Sequence, residues 1–95
     1  MRQVFKWTLA ITDLQALSLP KGAQILSVQV QNELPQLWAL VDPAAEKEKR
    51  TIAIYGTGHP VPDNPGDYIG TVQMLNGRLV WHIFAALDEP AKEWK

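Results

Sequence analysis

The chain has 95 residues, of which 46% are hydrophobic and 20% are charged, a length and composition typical of one small folded domain. Nine basic and ten acidic side chains give a net charge of −1, which argues against binding to duplex nucleic acid or to an acidic membrane surface. With no cysteine and no continuous apolar stretch at Met1 to Lys6, the sequence predicts a soluble intracellular protein without disulfides or thiolate chemistry.

Apolar and polar side chains alternate along most of the chain, which is the pattern of half-buried β-strands. In chain order, this alternation predicts strands at residues 4–11, 16–19, 24–31, 36–42, 50–56, 68–75 and 78–85. Residues 32–35 predict a four-residue hairpin loop, and residues 43–49 predict a longer charged connection with room for one helical turn. Residues 56–66 hold three prolines and three glycines and are predicted to form a loop.

The last two strands flank Asn76-Gly77, which is the strongest short-range signal for a hairpin with a type I′ turn. This turn sets Val72 opposite Trp81 and places Thr71, His82 and Phe84 on a mixed outer face. The opposite face is predicted to be core, and it carries Tyr68, Gly70, Val72, Met74, Leu79, Trp81 and Ile83.

In the middle hairpin, a four-residue loop pairs Val30 with Leu37. If residues 50–56 continue the same sheet, Trp38 lies beside Tyr55 on the face turned away from the core. Aromatic and aliphatic side chains in a polar frame indicate either a covered face or a binding surface. The candidate binding surface consists of Gln29, Trp38, Leu40 and Tyr55.

Amphipathic antiparallel sheets must bury their apolar faces against each other or close into a barrel. The predicted fold is therefore all-β, an antiparallel sandwich or small barrel of six or seven strands with mostly meander connections. Residues 1–87 are predicted to form a single domain, and residues 88–95, which are charged and contain a proline, are predicted to form a C-terminal tail.

The loop at residues 56–66 supplies a second, weaker set of candidates, which consists of Thr57, His59, Asp63 and Asp67. Two glycines beside a histidine suggest an anion or small-ligand site, but prolines follow where a phosphate loop needs a helix and a lysine. The spacing of histidine and carboxylates supports no metal site by itself. We therefore expect neither a catalytic residue nor a metal or cofactor, and interpret the segment mainly as a rigid loop.

Four segments carry a family resemblance: residues 19–23 (LPKGA), 25–29 (ILSVQ), 37–42 (LWALVD) and 55–60 (YGTGHP). With the aromatic first strand, they make residues 4–84 resemble a family of small uncharacterised proteins found in bacteriophages, prophages and bacterial genomes. The resemblance implies a bacterial or phage setting and a cytoplasmic location, and it implies no activity and no catalytic residues.

Interface cores are enriched in tryptophan and tyrosine framed by polar groups, which favours a binding function. The leading interpretation is a non-enzymatic accessory module of phage or prophage origin that binds a host or phage protein, or a second copy as a homodimer. Two alternatives stay open. One is a small-ligand or metal-binding protein or enzyme that uses the loop at residues 56–66, and the other is a single-stranded nucleic-acid binder that stacks bases on Trp38 and Tyr55. No duplex nucleic acid or membrane partner is expected.

Overall fold

The computed structural model describes residues 1–86, and all regular secondary structure in this range is β-strand. The strands are β1 (Gln3–Thr8), β2 (Leu14–Pro20), β3 (Gln24–Gln31), β4 (Leu34–Val41), β5 (Lys47–Gly56), β6 (Asp67–Met74) and β7 (Leu79–Ala85). The predicted all-β fold is confirmed, and each of the seven predicted strands is present: β3 has the predicted ends, and the other six strands have shifted ends. The predicted tail at residues 88–95 lies outside the described residues.

The strands form two antiparallel sheets, one of three strands in the order β1-β4-β3 and one of four strands in the order β2-β5-β7-β6. Among the strands of residues 1–86, only β3–β4 and β6–β7 are hairpins between neighbouring strands, so the expected meander connections apply to these two pairs. The chain changes sheet after β1, after β2 and after β4. Since the two sheets have separate ladders and face each other, the arrangement is the sandwich rather than the closed barrel.

One hydrophobic core lies between the sheets. Leu37 and Val41 contribute from the three-stranded sheet, and Ile52 and Ile83 contribute from the four-stranded sheet, with at most 1% of each side chain exposed. The sheets approach most closely where β3 lies against β6. There, a methyl group placed on Gly70 would be 3.4 Å from Cβ of Val28. The glycine in β6 therefore allows this close approach.

The β6–β7 hairpin has the predicted register, with Val72 opposite Trp81. Asn76 and Gly77 have φ angles of 57° and 85°, and the amide of Arg78 donates to the carbonyl oxygen of Leu75 over 3.1 Å, as a type I′ turn requires. Leu75 also has a positive φ, 53°, which the sequence did not predict.

The β3–β4 hairpin differs from its prediction, because its loop has two residues, Asn32 and Glu33, with φ angles of 56° and 66°. Leu34 and Pro35 belong to β4, and Val30 pairs with Pro35 instead of Leu37. Pro35 is tolerated because its backbone nitrogen, which has no N–H, points towards the end of β1 and not towards β3. On that side, the carbonyl oxygen of Pro35 accepts a hydrogen bond from the amide of Leu9. Between Val28 and Gln31 the register shifts by two residues, so the inner and outer faces stay as predicted there. A bulge between Ile25 and Ser27 reverses the faces at the start of β3, because Leu26 is 48% exposed and Ile25 packs against the core.

Strand β5 pairs with β2 and β7 and not, as expected from the sequence, with β4. The second edge of β4 is occupied by β1, so that Trp38 lies between Lys6 and Ser27. After β4, the side chain of Asp42 accepts the amide of Ala44 and the chain turns into the other sheet without a helical turn. The predicted adjacency of Trp38 and Tyr55 is therefore wrong.

Residues 1–86 contain no helix with the length and apolar composition needed to span a lipid bilayer.

Candidate binding surface

The outer face of the four-stranded sheet carries a row of apolar side chains that crosses all four strands. The register places Leu14 of β2 beside Ala53 of β5, Ala53 beside Phe84 of β7, and Phe84 beside Tyr68 of β6. Paired residues in antiparallel strands lie on the same face, so this row points away from the core. Ala53 is fully buried at the centre of the row, whereas Leu14 and Tyr68 are each 59% exposed.

On this face, the ring of Phe84 contacts the rings of Tyr55 and Tyr68 edge to face. The ring centroids of Tyr55 and Phe84 are 5.8 Å apart with an interplanar angle of 67°, and those of Tyr68 and Phe84 are 5.6 Å apart at 68°. This is the geometry that aromatic pairs prefer, and it holds each ring against its neighbour. We refer to Leu14, Tyr55, Tyr68 and Phe84 as the platform.

A chain of hydrogen bonds borders the platform. The hydroxyl of Tyr68 is 2.6 Å from Oγ1 of Thr71, which is 3.1 Å from Nδ1 of His82, and Nε2 of His82 is 2.7 Å from Oγ1 of Thr57. The sheet register causes this arrangement, since Thr71 and Tyr55 are the two cross-strand neighbours of His82. The chain fixes the orientation of the Tyr68 ring and gives both imidazole nitrogens a hydroxyl partner.

The loop candidates do not form one site. Thr57 bonds to His82, whereas the ring of His59 covers Gly56, where an added methyl group would lie 2.9 Å from it. Asp67 begins β6 opposite Ala85, and Asp63 is exposed within the loop. In the part of the chain that the structure describes, no group of three histidine or carboxylate side chains is placed to hold a metal ion.

A shallow groove of about 410 Å³ lies between the platform and this loop. Leu14 and Tyr55 line it from the sheet, and His59, Pro60 and Pro62 line it from the loop. The loop therefore extends the apolar surface of the platform at the side of β2 and β5. Its prolines restrict the backbone and keep this wall of the groove rigid.

The other predicted surface residues share the outer face of the three-stranded sheet. Trp38 and Leu40 are half-buried there, and Gln29 is exposed, with its amide donating to Oγ of Ser27 over 3.1 Å. Gln29, Trp38 and Leu40 thus lie on one face, as the period-two pattern predicts, and Tyr55 lies on the opposite side of the sandwich.

Sequence reasoning placed Phe84, Thr71 and His82 on the outer face correctly but assigned Tyr68 to the core. A register shift between Tyr68 and Gly70 makes Tyr68 the outer neighbour of Phe84. Such a bulge turns one side chain to the other face of the sheet. The sequence signal for it is Gly70, because an isolated glycine in a strand often accompanies a bulge.

These features define a two-sheet antiparallel β-sandwich with an exposed aromatic face. The chain belongs to the family described as a domain of unknown function, DUF7352, whose model matches residues 1–93. This confirms the predicted membership of an uncharacterised family. Comparisons with curated proteins and with solved structures found no match.

Proposed function

We propose that the protein is a non-enzymatic protein-binding module, and that the platform docks an apolar or aromatic side chain of a partner protein. The observation that carries the proposal is the contact of Tyr55, Phe84 and Tyr68 on a solvent-facing sheet surface, with Tyr68 59% exposed. Tyrosine and phenylalanine are enriched at interfaces because they bury a large area and lose little conformational entropy.

The platform is already ordered before a partner binds. The hydrogen bond between Tyr68 and Thr71 and the two ring contacts of Phe84 restrict the side chains that a partner would cover. Binding to ordered side chains costs less entropy, which raises affinity without additional contacts. The row of polar groups formed by Thr71, His82 and Thr57 supplies the hydrogen-bonding rim that such interfaces have.

The setting we propose for this function is the cytoplasm of a bacterial cell, with the protein acting as a phage or prophage accessory module. The resemblance of residues 4–84 to phage and bacterial sequences supports this setting. The absence of cysteine from the sequence is consistent with a reducing compartment. The partner is then a host or phage protein.

The experiment uses Tyr68 as the attachment point. The full chain with a photo-crosslinking phenylalanine analogue at position 68 is irradiated in a bacterial lysate, and the attached protein is identified by mass spectrometry. The purified partner is then titrated calorimetrically with the unlabelled protein. We expect Tyr68→Ala to raise the dissociation constant roughly 30-fold or more, as is typical of a central interface aromatic.

The matched control is Leu75→Ala, because Leu75 is 60% exposed, lies at the tip of the β6–β7 hairpin and is outside the platform. This variant is expected to bind like the unmodified protein. Two results would show that the platform does not bind the partner. One is an unchanged affinity of the Tyr68→Ala variant, and the other is an equal loss of affinity in the Tyr68→Ala and Leu75→Ala variants.

A second candidate function, binding or turnover of a small ligand, is favoured by the 2.7 Å contact between Thr57 and His82. A hydroxyl beside an imidazole is an arrangement that can activate a nucleophile. Here the imidazole is oriented by Thr71 rather than by a carboxylate. The test is NMR of both histidine rings during titration with zinc, manganese and nucleotides, and unchanged resonances would reject this candidate.

Single-stranded nucleic acid would also stack on exposed rings. The net charge of −1 argues against it, because phosphate contacts supply most of the affinity of such proteins. Titration with a fluorescent single-stranded oligonucleotide at low salt tests this alternative directly, and tight binding that is lost in Tyr68→Ala would replace protein docking as the function of the platform.

A further inference from the structure

Strand β1 is an edge strand. One side of it pairs with β4 along its whole length, from Gln3 opposite Val41 to Thr8 opposite Gln36. Within residues 1–86 no strand pairs with its other side. Val4 and Phe5 on this edge are 54% and 36% exposed. An edge of this kind is a template for another strand.

The hydrogen-bond pattern shows which backbone groups are free. The amide of Leu9 donates to the carbonyl oxygen of Pro35, so Leu9 and Pro35 form a hydrogen-bonded pair. In an antiparallel ladder, hydrogen-bonded and non-hydrogen-bonded pairs alternate. The odd-numbered residues of β1 therefore bond to β4, and the N–H and C=O groups of Val4, Lys6 and Thr8 point to the free edge.

We propose that two copies of the chain associate through antiparallel pairing of β1 with β1, with Phe5 opposite Phe5 of the second copy. The two three-stranded sheets then form one continuous six-stranded sheet. Pairing by a two-fold axis consumes the same edge on both copies, so assembly stops at the dimer. The proposal does not depend on the platform, which lies on the other sheet.

The charges on β1 select this register. Only the even-numbered residues have free backbone groups, so the two-fold axis must pass through a residue and not between two residues. An axis at Val4 places Arg2 opposite Lys6, and an axis at Lys6 places two copies of Lys6 opposite each other. Like charges in direct opposition destabilise a sheet.

With the axis at Phe5, no pair of like charges is opposed. Val4 lies opposite Lys6, Gln3 lies opposite Trp7, and the two Phe5 rings form a cross-strand aromatic pair. The pairs of Val4 with Lys6 use their free groups for about four backbone hydrogen bonds in the dimer. An axis at Trp7 gives the same number of bonds, from the pairs of Lys6 with Thr8, but it pairs only residues 6–8 of each strand, whereas the axis at Phe5 pairs residues 3–7.

The other sheet edges are less suitable. The amide of Ile54 donates to Asp13, so the groups of Leu14, Ala16, Ser18 and Pro20 point to the free edge of β2. Pro20 has no N–H to donate to a new strand. The edges of β3 and β6 lie against each other near Val28 and Gly70.

The test exploits the absence of cysteine from the chain. Phe5→Cys places one thiol on each copy at the two-fold axis, in a non-hydrogen-bonded pair with a Cα separation of about 4.5 Å, which suits a disulfide. We expect this variant to form a disulfide-linked dimer under mild oxidation. Val30→Cys is the matched control, because Val30 is 37% exposed on the other edge strand of the same sheet, and it should react at least about tenfold more slowly.

Two further variants test the hydrogen bonds and the register. Val4→Pro removes a donor that points to the free edge and leaves the β1–β4 ladder intact, so sedimentation should show a dissociation constant raised roughly 30-fold with an unchanged circular dichroism spectrum. Phe5→Lys and Phe5→Glu should each be monomeric, and their mixture should form a heterodimer because position 5 faces itself.

Sedimentation of the unmodified protein as a monomer at about 1 mM, the weak end of measurable affinity, would overturn the proposal. So would equal disulfide formation by the Phe5→Cys and Val30→Cys variants, or failure of the lysine and glutamate variants to associate when mixed. Slow hydrogen exchange of the Val4, Lys6 and Thr8 amides in a monomer would show that another segment of the same chain covers the edge, and would also overturn it.

Discussion

Replacing Glu33 with glycine is expected to stabilise the protein, because the two-residue turn between β3 and β4 forces this side chain into an unfavourable backbone region. Asn32 and Glu33 have φ angles of 56° and 66°. Asparagine tolerates this left-handed region, whereas glutamate gains nothing there and suffers the steric contact of its Cβ with the backbone. Asn-Gly is the sequence that type I′ turns prefer.

The magnitude follows from two opposing terms. An L-residue in the left-handed region costs about 1–2 kcal/mol, which glycine avoids. Glycine in turn loses about 0.5–1 kcal/mol more conformational entropy on folding than a residue with a side chain. The difference spans about 0–1.5 kcal/mol, and its midpoint predicts that Glu33→Gly raises the free energy of unfolding by about 0.75 kcal/mol, or the melting temperature by roughly 3–6 °C in a domain of this size.

Urea denaturation at 25 °C, followed by tryptophan fluorescence, measures this difference directly. Gln24→Gly is the control, since Gln24 is exposed in β3 and has an ordinary negative φ. There, glycine should lower the free energy of unfolding by about 0.5–1 kcal/mol. If Glu33→Gly lowers the free energy of unfolding as much as the control does, Glu33 does not have a positive φ. That result would favour the four-residue loop predicted from the sequence.

Three further substitutions test the packing. Gly66→Ala should cost more than about 2 kcal/mol in denaturant unfolding, because φ is 101° and the new methyl group would overlap the carbonyl oxygen of Ala85; a neutral effect would contradict this placement of the loop. Leu37→Ala should cost about 2–5 kcal/mol because Leu37 is fully buried, and a cost below 1 kcal/mol would place it outside the core. Gln36→Leu should cost about 1–3 kcal/mol because the buried amide donates to the carbonyl oxygen of Gln31, and an unchanged free energy of unfolding would show that this bond contributes nothing.

The strands were predictable because their signals are local. Alternation of apolar and polar residues reports which face of a strand is buried, and it depends only on the two-residue repeat of the backbone. Asn76-Gly77 fixed the β6–β7 register for the same reason, since the turn determines the pairing of the residues next to it. No long-range information was needed for either prediction.

The pairing of β5 was not predictable, because alternation does not specify which strand lies beside another. Residues 42–46 are compatible both with a hairpin to β4 and with a crossing to the other sheet, and only the occupation of the β4 edge by β1 decides between them. Sheet topology is fixed by contacts between residues far apart in sequence, such as Trp7 with Leu37.

The candidate site also combines features that have a local sequence signal with features that depend on long-range contacts. That Tyr55 lies on an outward face could be predicted from β5 alone, but its aromatic neighbours Phe84 and Tyr68 come from β7 and β6. The pairing of Thr57 with His82 joins the loop after β5 to a strand 25 residues away and has no local signal. A bulge that reverses one residue, as at Tyr68, is equally invisible to a strict two-residue repeat.

The two proposed surfaces lie on different sheets, which allows both to act in the same molecule. A dimer formed through β1 would present two platforms to a surface that carries several partner copies, and the second contact would be intramolecular. Phe5→Lys should therefore leave the affinity for a soluble monovalent partner unchanged and weaken binding to the immobilised partner roughly 10-fold to 100-fold. Calorimetry and surface binding measure the two quantities separately. A loss of affinity in solution would show that Phe5 and the platform are coupled through the core, and that the two surfaces are not independent.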